Sequence, residues 1–289
     1  VRERAASVVG SAAFGSFEPK GLGSPEGKAY VAALRSETDP AVLRTFLSMS
    51  GEAAAMSETV RYAILRALDH DDRLVRFAAI DRLATPSIYA QVPRAYDTLV
   101  TLVTSDPAEV VRGYACAAFG KSDDERAFAT IRKVLEANET PPEVRGACFE
   151  GLVQLWVGRP MPKTPSREAY ELTLKLLTAT PRDADMPHNR GVLALVPASA
   201  GARPSAAEQE WLEQVQGWFV RADLLRALEA IALDPAASVL TRDVALFVLA
   251  MWREEELVTA LAKKLESAPD PDGKKLAAKA REELARQKR

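Results

Sequence analysis

The chain has 289 residues, 47% apolar, 27% charged and 7% aromatic, and its 38 basic and 40 acidic side chains leave a net charge of −2. That balance supplies no global field to draw in nucleic acid or an anionic membrane surface, and no apolar run approaches the length of a membrane span. Two histidines leave little scope for a His-rich metal site, and two cysteines, Cys116 and Cys148, do not make a disulfide scaffold.

The chain opens on VRERAASVVG at Val1, which reads as the middle of a helix, so an upstream segment is expected and the lack of a signal peptide carries no weight. GSFEPKGLGSPEG from Gly15 reads as an open loop. A segment that starts on an apolar–Arg or similar pair then recurs: LRTFLSMSG from Leu43, VRFAAIDRL from Val75, VRGYACAAF from Val111, VRGACFEGL from Val144 and NRGVLALVP from Asn189. TRDVALFVL from Thr241 is a looser copy, and the opening VRERAASVV another. Offsets three, four and eight from the first residue are mostly apolar (Ala78, Ala79, Leu83; Tyr114, Ala115, Phe119; Ala147, Cys148, Leu152), which is one face of an α-helix.

Arg44, Arg76, Arg112 and Arg145 are 32, 36 and 33 residues apart, room for two helices and two turns. Each is preceded by an acidic or Pro-bearing turn: DPAVLR at Asp39, DDRLVR at Asp71, DPAEVVR at Asp106 and ETPPEVR at Glu139. Asp caps a helix N-terminus, and Pro fits its first turn because the missing N–H is not needed there. AYDTLVTLVTS from Ala95 and ERAFATIRKVLEA from Glu125 read as first helices of pairs, as does SETVRYAILRAL from Ser57.

Beyond residue 157 the period stretches through the Pro-rich GRPMPKTPS at Gly158, TPRDADMPHN at Thr180 and PASAGARPS at Pro197. Helices are expected again over 167–177, 206–219, 222–233, 239–252, 254–265 and 274–287, the last a charged terminal cap. The sequence therefore predicts an all-α, right-handed α-solenoid of about fourteen helices in about seven antiparallel pairs, with no sheet. It divides into regular repeats over 1–157 and divergent repeats over 158–289, continuous with the first part.

The motif D-x-x-V-R-x-x-A-A-x-x-L in DRLVRFAAIDRL, with near-copies at Val111 and Val144, resembles the second helix of a HEAT repeat. It is also similar to the HEAT-like repeats of phycobilisome-lyase-type proteins, over about residues 39–155. The resemblance implies a ladder of turn acids and helix arginines between neighbouring repeats. By position it assigns Asp39, Asp71 or Asp72, and Asp106 to Arg44, Arg76, Arg112 and Arg145, while Glu139 departs from the pattern.

No HExxH, GxSxG, Walker loop or GxGxxG occurs. Some HEAT-like enzymes hold di-iron with His-Glu pairs, but here Asp71 follows His70 and Asn189 follows His188. No catalytic residue, metal or cofactor is therefore expected. The function expected is a non-catalytic, cytoplasmic scaffold that binds a protein or peptide partner on its concave layer of second helices. The alternative is a nucleic-acid-binding or repair protein like the HEAT-like alkylpurine DNA glycosylases, against which the negative net charge counts.

Offsets two and six place Phe77, Asp81, Gly113, Ala117, Gly146 and Glu150 along one stripe, read as a shallow glycine trough with an apolar anchor and an acidic rim suited to a basic peptide. Arg-Gly recurs at residues 112–113, 145–146 and 190–191, which points to close helix approach or to a groove floor. Trp156, Trp211, Trp218 and Trp252 are expected mostly in the core, with Trp211 and Trp218 on one helix face. Cys116 and Cys148 are expected as buried thiols rather than as a disulfide or a metal pair.

Overall fold

The computed structural model describes residues 22–158, 161–179, 187–199 and 205–287, and every regular element among them is helical. The helix read at Val1 lies outside the described residues. Seventeen α-helices and one 3-10 turn are described, and the chain divides into two compact units, Val1–Asp124 and Glu125–Arg289.

The first unit holds α1 (Pro25–Ser36), α2 (Pro40–Ser48), α3 (Gly51–Met56), α4 (Glu58–Ala67), α5 (Arg73–Leu83), α6 (Pro86–Tyr89), α7 (Ala95–Ser105) and α8 (Glu109–Phe119). Polar turn residues start these helices by accepting orphan N–H groups. Ser24 caps α1, Asp39 takes the N–H groups of Ala41 and Val42, Ser57 takes that of Val60, and Asp72 takes those of Leu74 and Val75. The end of the segment read as an open loop, Pro25–Gly27, is thus the first turn of α1. The pairs are α1/α2, α4/α5 and α7/α8, and the second helices pack in a row, α2 on α5 and α5 on α8. The short α3 and α6 lie in connections, so the described helices outnumber the fourteen expected.

A second helix in such a row is covered by its own partner and also by the next helix of the row, which for α5 means α2 on one side and α8 on the other. Its buried stripe is accordingly wider than the expected one. On α5 it takes in Val75, Ala79, Ile80 and Leu83, and on α8 Val111 and Ala115 through Phe119. Each fully buried aliphatic side chain in this core is worth about 1.5–3 kcal/mol.

The second unit holds α9 (Ala127–Glu136), α10 (Pro142–Gln154), α11 (Arg167–Thr178), α12 (Pro187–Ala194), a 3-10 turn (Val196–Ser199), α13 (Ala206–Val215), α14 (Arg221–Leu233), α15 (Val239–Met251), α16 (Glu255–Ser267) and α17 (Gly273–Gln287). α13 stops at Val215, and Trp218 falls in the turn beyond Gly217. Trp211 and Trp218 therefore do not share a helix face. The Pro-rich connection at Gly158 does not separate the units, because Trp156 before it packs on Tyr170 and Phe219 after it, with ring centroids 5.2 and 5.9 Å apart.

α10 and α12 approach closely, and Gly191 is the reason they can. A Cβ at Gly191 would lie 2.2 Å from Cδ1 of the buried Phe149 ring. Ala is the better helix former by about 1 kcal/mol, yet overpacking a dense core costs about 1–3 kcal/mol. Gly191→Ala should therefore lower the urea midpoint at unchanged slope. A raised midpoint would show that Phe149 yields without strain.

Candidate functional site

The ladder is complete at one of its assigned steps. Arg76 on α5 donates from Nε to Asp106 Oδ2 (2.7 Å) and from Nη2 to Asp106 Oδ1 (2.8 Å), and the two side chains are only 9% and 2% exposed. Its Nη1 braces the turn before α5 through the carbonyls of His70 (2.7 Å) and Asp71 (2.9 Å). Asp106 also accepts from the Ala108 N–H at 2.8 Å, so one carboxylate serves both a helix start and a neighbouring pair. That hydrogen bonding holds the Arg76 guanidinium above its ordinary pKa, against the opposing effect of burial.

The other assigned steps differ. Asp39 is spent on capping α2, Asp72 rather than Asp71 caps α5, and Asp71 is exposed. Arg112 donates to the Asp106 carbonyl (3.0 Å) and sits 3.7 Å from Glu109, while Arg145 reaches the carbonyls of Ala137, Asn138 and Thr140 at 3.2–3.3 Å. Both brace their own turns instead of bonding a neighbour's acid. Arg44 carries a buried Nε with no hydrogen-bond partner.

A second full rung escaped the sequence reading. Arg242 on α15 donates from Nη2 to Asp270 Oδ2 and from Nε to the Ala232 carbonyl (3.0 Å), and Asp270 Oδ1 accepts from the Asp272 N–H at 3.1 Å. Hydrogen bonding to Arg242 holds the Asp270 carboxyl below its usual range. The signal was present, since Asp-Pro stands at 270–271 as it does at 106–107.

The expected trough does not form. Gly113, Ala117 and Gly146 are buried, because helix neighbours cover offsets two and six as well. Asp81 pairs with Arg82, and Glu150 pairs with Arg190 at 2.7 Å and accepts from Gln154, so neither acid is an open rim for a basic peptide. Phe77 remains half-buried, its ring centroid 3.7 Å from that of Tyr114 on α8, itself half-buried. Leu74, one turn before Phe77 on the same face of α5, is 43% exposed. The row of second helices thus presents Leu74, Phe77 and Tyr114 as one apolar, partly aromatic strip within the first unit.

Trp156, Trp211 and Trp252 are buried as expected, and Trp218 is half-buried. Cys116 and Cys148 are fully buried, but neither is a thiol: both are disulfide-bonded, which corrects the reading from their separation in sequence. Among the described residues no group of three or more His, Cys, Asp or Glu could hold a metal ion, and no helix is long and apolar enough to cross a membrane.

Stacked helix pairs with a turn acid bonded to the preceding pair's arginine define a helical-repeat protein. Residues 27–118, which contain that rung and the apolar strip, match the family model described as HEAT repeats. No curated protein matches the chain. Solved structures similar to it include an engineered protein (18% identity, 98% of this chain and 74% of that one, TM-score 0.39). Another is human deoxyhypusine hydroxylase in complex with glycerol (16% identity, 99% and 97%, TM-score 0.33).

Proposed function

We propose that the chain is a non-catalytic interaction scaffold whose row of second helices in the first unit, α2, α5 and α8, binds a protein or peptide partner. The strip of Leu74, Phe77 and Tyr114 carries this reading, because a solvated helix face would place polar groups there and aromatic side chains dominate interface energies. A repeat layer supports it further, since a rigid, preformed surface binds at low ordering cost. With a net charge of −2, the binding of nucleic acid is the weaker reading. Buried, disulfide-bonded cysteines favour an oxidising compartment over the cytoplasm that the sequence suggested.

The test is capture of a partner from nuclease-treated source lysate, followed by titration against Phe77→Ala/Tyr114→Ala. Loss of two central aromatic contacts should weaken binding by about 2 kcal/mol or more, roughly thirtyfold, with far-UV helical content kept. Unchanged affinity in the folded variant would put the site elsewhere, and capture abolished by nuclease would favour nucleic acid.

A further inference from the structure

Asp-Pro turns mark the places where the ladder closes. Four helices follow such a turn: α2 after 39–40, α8 after 106–107, α15 after 234–235 and α17 after 270–271. In all four the Asp Oδ1 accepts the N–H two residues on, at 2.9, 2.8, 2.9 and 3.1 Å in chain order. With Oδ1 turned to the helix start, Oδ2 is left for a neighbour. Asp106 Oδ2 takes Nε of Arg76, and Asp270 Oδ2 takes Nη2 of Arg242, each arginine coming from the second helix of the preceding pair. Arg44 and Arg112 are followed by turns of another make, Asp71-Asp72 and Glu139-Thr140, and neither bonds an acid of that turn.

Asp39 has the turn and lacks the arginine. It caps α2 through Oδ1 alone, which accepts from Ala41 and Val42, and Oδ2 has no partner among the described residues. Its side chain is half-buried, where those of Asp106 and Asp270 are 2% and 10% exposed. Because α1 and α2 are the first described pair, an arginine for Asp39 has to come from before α1. The copy of the second-helix motif in that part of the chain is VRERAASVV, with Arg2 at the arginine position and Ala5 and Val9 at the apolar offsets four and eight. Arg76 and Arg242 meet acids 30 and 28 residues on, and Asp39 stands 37 residues after Arg2, with the loop from Gly15 in the interval.

We infer that residues 1–9 lie as a further second helix against α2, on the flank away from α5, and that Arg2 closes the rung on Asp39 Oδ2. The occupant of that flank is thus a segment of this chain. The motif, the order along the chain and the open carboxylate oxygen agree on it.

A double-substitution cycle in the full chain tests this, with Arg2→Gln, Asp39→Asn and the two together read by Tm. Asn still caps a helix but carries no charge, so a loss from Asp39→Asn reports the rung and not the cap. Each single change should lower Tm by about 2–4 °C, and the double change by no more than either alone. Arg4→Gln should add to Asp39→Asn independently. Hydrogen exchange of the parent protein should be slowed at the amides of residues 5–9, and Asp39→Asn should speed it there. Additive losses for Arg2 and Asp39 would overturn the inference, as would coupling of Arg2 to Glu37→Gln in place of Asp39→Asn. Open-chain exchange at residues 5–9 in the parent protein would overturn it without any variant.

Discussion

Asp106→Ala should destabilise the first unit by about 3–5 kcal/mol, far more than an exposed ion pair would cost. The change removes both acceptors of the Arg76 guanidinium and leaves a charge that is only 9% exposed without a counter-ion. It also removes the acceptor of the Ala108 N–H at the start of α8. The carbonyls of His70 and Asp71 still hold Nη1, which keeps the loss below that of a bare buried charge. Replacing both partners with apolar residues, as in Arg76→Met/Asp106→Leu, should recover most of the loss, because the desolvation cost of the pair goes with it. Urea unfolding of the single and double variants reads both effects. A single-variant cost under about 1 kcal/mol would mean that water already reaches the pair.

The repeat itself was legible because three independent signals agree at Arg76: an Asp that caps the helix, an apolar face at helical spacing, and an arginine at a fixed place relative to both. The ladder was legible only in part. Sequence register gives the position of Arg112 and Arg145, but the rotamer that turns each onto its own turn carbonyls depends on local turn geometry, and the turn before Arg145 has Glu139 and two prolines where Asp106 stands one repeat earlier. The stripe at offsets two and six failed for a different reason. A lone amphipathic helix has one covered side, whereas a helix packed among several others is covered over more of its surface, so Gly113 and Gly146 are buried rather than open. Phe77 kept its partial exposure, and its partner Tyr114 was hidden from the sequence reading because offset three had been assigned to the core.

The aromatic cluster of the second unit sets the other large effect. Trp156 follows α10 and is fully buried, with its ring 5.2 Å from Tyr170 and 5.9 Å from Phe219. Its Nε1 donates to Thr173 Oγ1 at 3.1 Å, and its carbonyl accepts from Trp211 Nε1 at 2.5 Å. Tyr170 ties the same cluster to the turn before α14, since its hydroxyl donates to the Val220 carbonyl and accepts from the Val220 N–H. Trp156→Ala empties the centre of this group, and the cost is expected at about 3–5 kcal/mol. Thr173 still donates to the Ala169 carbonyl, so no buried hydroxyl is orphaned and the loss is one of packing. Trp156→Phe should cost clearly less, because a ring remains against Tyr170 and Phe219. Chemical unfolding of the two variants, followed by far-UV circular dichroism, separates these outcomes. Equal losses for Ala and Phe would assign the stability to the indole N–H and its bond to Thr173 instead of to ring packing.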